Sequence, residues 1–284
     1  MTPDASEQIT KALINIDAKI LTLAYKDLAQ PGVQQVGKAL STVLGLGNTV
    51  LLPLKLLNEK ANYWFSSYME AYRVRLAEVP PEQVIEVAPE LGVPLLEKLE
   101  KTTNPTLRDL YIKLLTTASL VDTAALAHPR FIPIIESITP DEARILTYMA
   151  EKEARLPYIT VVVQPNIGPD DKKESQPIET LLDHKTVLEF SDHLTYPSNA
   201  PLYFSNLTGL GLIRIEDQRM IVEEHRYDAL IGQFQDEAQR LGAQFAQKNN
   251  LREAGLTTKC GYYEFTEFGK SFLRACLLDS AATA

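Results

Sequence analysis

The sequence predicts a mainly α protein, with a helical domain over residues 1–136 and an α+β domain over 137–284. Three observations carry this. Apolar residues recur in alternating steps of three and four through most of residues 5–153, the spacing of one helical face. Proline follows helix-capping residues, as in Asn104-Pro105 and Thr139-Pro140, where its missing N–H is harmless. β-branched runs of the kind that form strands begin only after residue 155.

In chain order, Ile9, Leu13, Ile16, Ile20 and Leu23 line one face of a helix over 5–29, which Pro31-Gly32 ends. A second stripe then runs through Val36, Leu40, Val43, Gly47, Val50, Leu54, Leu57, Ala61, Trp64 and Tyr68. Pro53 inside a continuous helix would cost about 3 kcal/mol. Two helices are therefore expected, near 33–47 and 53–77, with a turn at Gly47-Asn48-Thr49. A proline-punctuated connection follows, with a short helix at about 92–101. Asn104 caps a helix near 105–127 that carries Leu107, Leu110, Tyr111, Leu114, Leu115, Ala118 and Val121, and His128-Pro129 closes it. Thr139-Pro140-Asp141-Glu142 is a capping box opening a helix to about residue 153.

The second half changes character. Tyr158–Val163 reads as a strand and 164–177 as a polar, proline-bearing loop. Helices are expected at about 178–190 and 199–210, and strands at 212–216 and 262–265. Thr266 caps a last helix with Phe268, Phe272, Ala275 and Cys276 inward. Between the two late strands lies an insertion of about 218–258 with the helical stripe Tyr227, Ile231, Phe234, Ala238, Leu241 and Phe245. Helix, capping helix, helix, strand, strand, helix is the order of a winged-helix unit. The second domain is thus expected to be winged-helix-like, with a long helical insertion in the wing.

Composition narrows function. The chain is 45% hydrophobic and 23% charged, enough apolar content for packed cores. Its net charge is −9, from 28 Lys and Arg against 37 Asp and Glu. Such a chain is repelled by nucleic-acid backbones and anionic lipid unless its cations cluster. The helix expected in 199–213 contains no Lys and no Arg, and Arg214, Arg219 and Arg226 are balanced by Glu216, Asp217, Glu223 and Glu224. A nucleic-acid partner is therefore not expected. Cys260 and Cys276 have no metal or redox spacing, which suits a reducing compartment. MTPDASEQIT has neither a cationic nor an apolar stretch, so no signal peptide is expected and the protein is placed in the cytoplasm.

The stretch GKALSTVLGLGNTVLLPLKLLNEK invites three readings. Sixteen uncharged residues separate Lys38 from Lys55. As a helix they span about 24 Å, short of the roughly 30 Å of a hydrocarbon core. Ser41, Thr42, Gly45, Asn48 and Thr49 make the opposite face polar. Val36, Leu40, Val43, Val50 and Leu54 are thus read as a helix–helix contact or, alternatively, a membrane-surface contact. GVQQVGKA approaches a phosphate-loop pattern, but Ala39 stands where a magnesium-binding hydroxyl is needed and a helix precedes it. His128, His184, His193 and His225 have no metal-ligand spacing, and G-x-S-x-G is absent. His128 is read as a helix-end residue. No catalytic residue, metal, cofactor or small-molecule substrate is assigned. The inserted stripe either folds back on the first domain or presents Tyr227, Ile231, Phe234, Leu241 and Phe245 to a protein partner or a second copy.

VPPEQVIEVAPELGVPLLEKLEKT, LRDLYIKLLTTAS and HPRFIPIIESITPDEARIL resemble the bacterial abortive-infection alpha family, as do NLTGLGLI and YYEFTEFGKSFLRAC. The resemblance spans roughly 60–278 and is firmest over 80–150; the inserted helix near 224–249 departs from shorter members. It implies a role in limiting phage infection, often by halting or killing the infected cell. It carries no catalytic residues over. The expectation is an anti-phage protein, not an enzyme, working by protein contacts. A membrane-perturbing effector using residues 36–54 and a winged-helix DNA-binding regulator are the alternatives.

Overall fold

A computed structural model describes residues 33–41, 43, 59–152, 155–164, 178–188, 191–218 and 224–278. The helix expected over 5–29, the turn at 47–49 and nearly all of the loop over 164–177 lie outside the described residues, as do Val50 and Leu54. Among the described residues there are nine helices and one four-stranded sheet. The chain divides into two units, Met1–Ser137 with Arg274–Ala284, and Ile138–Leu273.

The first unit is helical. It contains α1 (Val33–Leu40), α2 (Glu59–Leu76), α3 (Pro89–Lys101), α4 (Pro105–Ala118) and α5 (Phe131–Ser137). Its core includes Leu40, Val43, Tyr68, Tyr72, Leu76, Leu95, Leu96, Leu99, Leu114, Leu115 and Ile135. Gly92 of α3 lies directly against the Val43 side chain, and a Cβ there would collide with it. The cap of α4 forms as the sequence dictates: the Asn104 side chain accepts from the N–H of Thr106 at 3.0 Å and of Leu107 at 3.3 Å.

The expected helix over 105–127 is corrected, since α4 stops at Ala118. Beyond it the backbone takes another partner. The Ser119 carbonyl accepts from Ile85 N–H at 2.8 Å, the Val121 N–H donates to the Gln83 carbonyl at 2.9 Å, and Val84 bridges Leu120. Val121 is 53% exposed and does not belong to the inward stripe. His128 accordingly closes nothing: its Nδ1 accepts from Arg130 N–H at 3.1 Å and its carbonyl from Phe131 N–H at 2.9 Å, so it opens α5.

The second unit holds α6 (Pro140–Glu151), β1 (Arg155–Gln164), β2 (Glu179–Lys185), α7 (Ala200–Gly209), β3 (Ile213–Glu216), α8 (Glu224–Lys248), β4 (Gly255–Phe265) and most of α9 (Glu267–Cys276). The sheet order is β2-β1-β4-β3, antiparallel throughout. β1 and β4 pair from Arg155↔Glu264 to Gln164↔Gly255, so β4 begins well before the expected residue 262.

The helix expected at 178–190 is a strand instead. Its Glu, Leu and Lys residues favour helix weakly, by tenths of a kcal/mol each. Pairing with the β-branched β1 overrides that preference. The four-three stripe of α8 is helical as expected and covers one face of this sheet. Tyr227 and Leu230 pack on Ile159, and Ala238 on Val161 and Leu182.

Candidate functional site

The second unit concentrates its buried polar chemistry at the start of α6. The capping box is complete: Glu142 N–H donates to Thr139 Oγ1 at 3.2 Å, and Thr139 N–H donates to Glu142 Oε2 at 2.6 Å. The other Glu142 oxygen accepts from Asn206 Nδ2 of α7 at 2.7 Å. Its neighbour Asp141 turns to the segment before α7. Asp141 accepts the backbone N–H of Thr195 and of Tyr196, each at 3.0 Å, and the Tyr203 hydroxyl at 3.0 Å. Arg144 adds an ion pair at 2.7 Å. Both residues are 2% exposed. Burial pushes the Asp141 carboxyl up, but the hydrogen bonds from Thr195, Tyr196 and Tyr203 outweigh it and hold the pKa below the ordinary carboxylate value. Burial and the adjacent Asp141 charge push the Tyr203 phenol up.

These contacts set the surface of α7. Tyr203, Phe204 and Leu207 point inward. Tyr196 and Leu202 point out, 62% and 64% exposed, beside the exposed Pro197, Pro201 and Ser205. Residues 194–213 contain no charged side chain. α7 ends in a Schellman turn: Leu212 N–H donates to the Leu207 carbonyl at 3.0 Å and Gly211 N–H to the Thr208 carbonyl at 2.9 Å. Gly211 supplies the required φ of 75°.

Behind α7 runs a series of aromatic contacts. Phe204 stacks on Tyr263 at 4.3 Å, Tyr263 meets Tyr158 at 5.2 Å, and Tyr158 meets His184 at 4.3 Å. The Tyr158 hydroxyl donates to Asp217 at 2.5 Å. Burial, then that carboxylate, push the Tyr158 phenol up, and burial does the same for Tyr263. A bulge places His184 here. Ile159 pairs with Lys185 and Val161 with Leu182, leaving Asp183 and His184 to face Thr160 alone. His184 adopts φ 45°, its N–H donates to Thr160 Oγ1 at 3.2 Å, and its Nδ1 meets Asp183 at 2.7 Å. Without that extra residue, strand alternation would put His184 on the α8 side with Leu182. Lys185 takes the α8 side, where its ammonium stands 5.6 Å from the Phe234 ring centre.

Tyr227 is fully buried and Phe245 is 7% exposed, while Ile231, Phe234 and Leu241 are half-buried. Tyr227, Ile231, Phe234 and Leu241 pack on the sheet of their own unit, and the Tyr227 hydroxyl donates to the Gly261 carbonyl at 3.1 Å. Much of the stripe is thus covered within its own unit. Leu40 and Val43 are buried in the helical unit and Val36 is half-buried. GVQQVGKA is helical from Val33. Among the described residues no three His, Cys, Asp or Glu side chains gather as a metal ion would need.

Arg155 and Arg214 are engaged by carboxylates. Glu264 accepts from Arg155 at 3.1 Å and from Arg214 at 2.9 Å, and Arg214 also reaches Glu216 at 3.0 Å. Burial raises the Glu264 carboxyl, and the two guanidinium groups more than reverse this.

Residues 65–276 match the family described as Abortive infection alpha. The chain belongs to that family. Membership suggests an abortive-infection-type role in defence. The matched region takes in the Asp141 contacts, α7 and α8 of this abortive infection alpha protein. No curated protein matches the chain. A similar solved structure is an uncharacterized protein from the hydrocarbon-degrading marine bacterium Alcanivorax borkumensis SK2, with 14% identity, 55% of this chain and 96% of that chain covered, and a TM-score of 0.33. That likeness is too slight to bear on fold or function. Among the described residues no helix is long and apolar enough to cross a membrane.

Sequence reasoning assigned Asp141 and Glu142 to a capping box and missed their reach to residues 195–206. The signal was faint: both positions of a first helical turn were acidic, where one suffices for a box.

Proposed function

We propose that this abortive infection alpha protein acts in anti-phage defence through protein contacts made by the α7 surface, without catalytic chemistry of its own. The carrying observation is the exposed Tyr196 and Leu202 in an uncharged segment whose backbone a buried carboxylate holds in place. Exposed aromatic and aliphatic anchors on a rigid element suit docking to a protein, and an uncharged helix face suits a phosphate backbone poorly. The order α6, β1, α7, β3, β4 with β1-β4-β3 pairing supports reading the second unit as winged-helix-like. In that reading β2 is an added edge strand and α8 an insertion between the wing strands. The burial of Leu40 and Val43 supports helix–helix packing for their part of residues 36–54, over contact with lipid.

Heterologous expression followed by phage plating tests the proposal. Reduced plating of at least some phages is expected, and its loss in a Tyr196→Ala, Leu202→Ser variant that still folds. Full plating across a broad panel with the wild-type chain would count against a defence role. Protection that survives the double substitution would count against the α7 surface.

A further inference from the structure

We draw no further inference here: the strongest candidate, the uncharged surface patch formed by Tyr196 and Leu202 at the start of α7, belongs to the site already described, and nothing in the structure shows what covers it.

Discussion

The Asp141 carboxylate accepts the backbone N–H of Tyr196 at 3.0 Å, while the side chain of that tyrosine is 62% exposed. A buried charge on α6 therefore fixes the backbone from which an aromatic ring projects into solvent. Hydrogen bonds to a charged group each contribute about 1.5–3 kcal/mol, and a buried donor left unpaired is costly in its own right. Asn at this position keeps the shape but turns an amide N–H₂ toward N–H donors. Asp141→Asn is expected to lower the unfolding free energy by about 2–4 kcal/mol in urea titration. A loss within the range of an ordinary surface change would mean that the segment before α7 is held by something else.

The same carboxylate makes a pH prediction whose sign is fixed. The folded-state pKa of Asp141 lies below its ordinary value of 3.8. A depressed acid stabilises the fold fully above its unfolded pKa, and that stabilisation drains as pH falls through the folded pKa. The stability gap between wild type and Asp141→Asn should thus be level from about pH 7 to pH 5 and narrow below about pH 4. Paired denaturation curves across this range are the measurement. A gap that widens on acidification contradicts the assignment of Asp141 as a depressed, ionised acceptor.

Tyr196 and Leu202 should behave in the opposite way to Asp141. Neither side chain is part of the core. Tyr196→Ala and Leu202→Ser are each expected to change stability by no more than about 0.5 kcal/mol. Protection against phage should nonetheless fall, because the exposed anchors are lost. Thermal melting of the purified variants beside plating of cells that express them separates the two effects. A marked drop in melting temperature would show that these side chains are structural and void the plating result as evidence for docking.

How much of this was readable in advance depended on range in sequence. Asn104, Thr139 and Glu142 form their caps with groups two or three residues away, and the caps stand as predicted. The α8 stripe was readable too, because helical periodicity is local; which surface it covers was not. The end of α4 was misplaced because Ser119 and Val121 bond to residues 83–85, a pairing that no local pattern announces. β2 was misread for the same reason: its strand conformation depends on β1 beside it. The Asp141 contacts reach more than fifty positions along the chain, so a single sequence displayed their acceptor and not their donors.

Two helix ends offer a matched pair of backbone tests. α7 and α8 both finish in Schellman turns, with Gly211 at φ 75° and Asn250 at φ 55° in the left-handed position. The Leu251 N–H closes the second turn on the Ala246 carbonyl at 2.8 Å. A Cβ at Gly211 meets no neighbour, so Gly211→Ala isolates the backbone cost, about 1–2 kcal/mol of destabilisation. Asn tolerates the left-handed region better than most residues but less well than Gly. Asn250→Gly is therefore expected to stabilise by a few tenths of a kcal/mol, up to about 1 kcal/mol. Chemical denaturation of both variants gives the comparison, and a stabilising Gly211→Ala would refute the turn geometry.

α8 is anchored on the sheet of its own unit through Tyr227. Its ring at Tyr227 is fully buried and its hydroxyl bonds to the Gly261 carbonyl. Gly261 itself admits no side chain, since a Cβ there would strike the Tyr158 hydroxyl and the Glu216 carbonyl. Removing the Tyr227 hydroxyl takes away one buried hydrogen bond, whereas removing the ring also empties a cavity. Tyr227→Phe should cost about 1 kcal/mol and Tyr227→Ala about 3–5 kcal/mol. Ile231→Ser and Phe234→Ser, at half-buried positions, should fall between, at about 1–3 kcal/mol. Unfolding curves and solution mass on the same samples distinguish internal packing from an assembly surface. If this helix covers its own sheet, stability drops while the mass of the folded protein is unchanged; a lower mass at full stability would assign the stripe to contacts between chains.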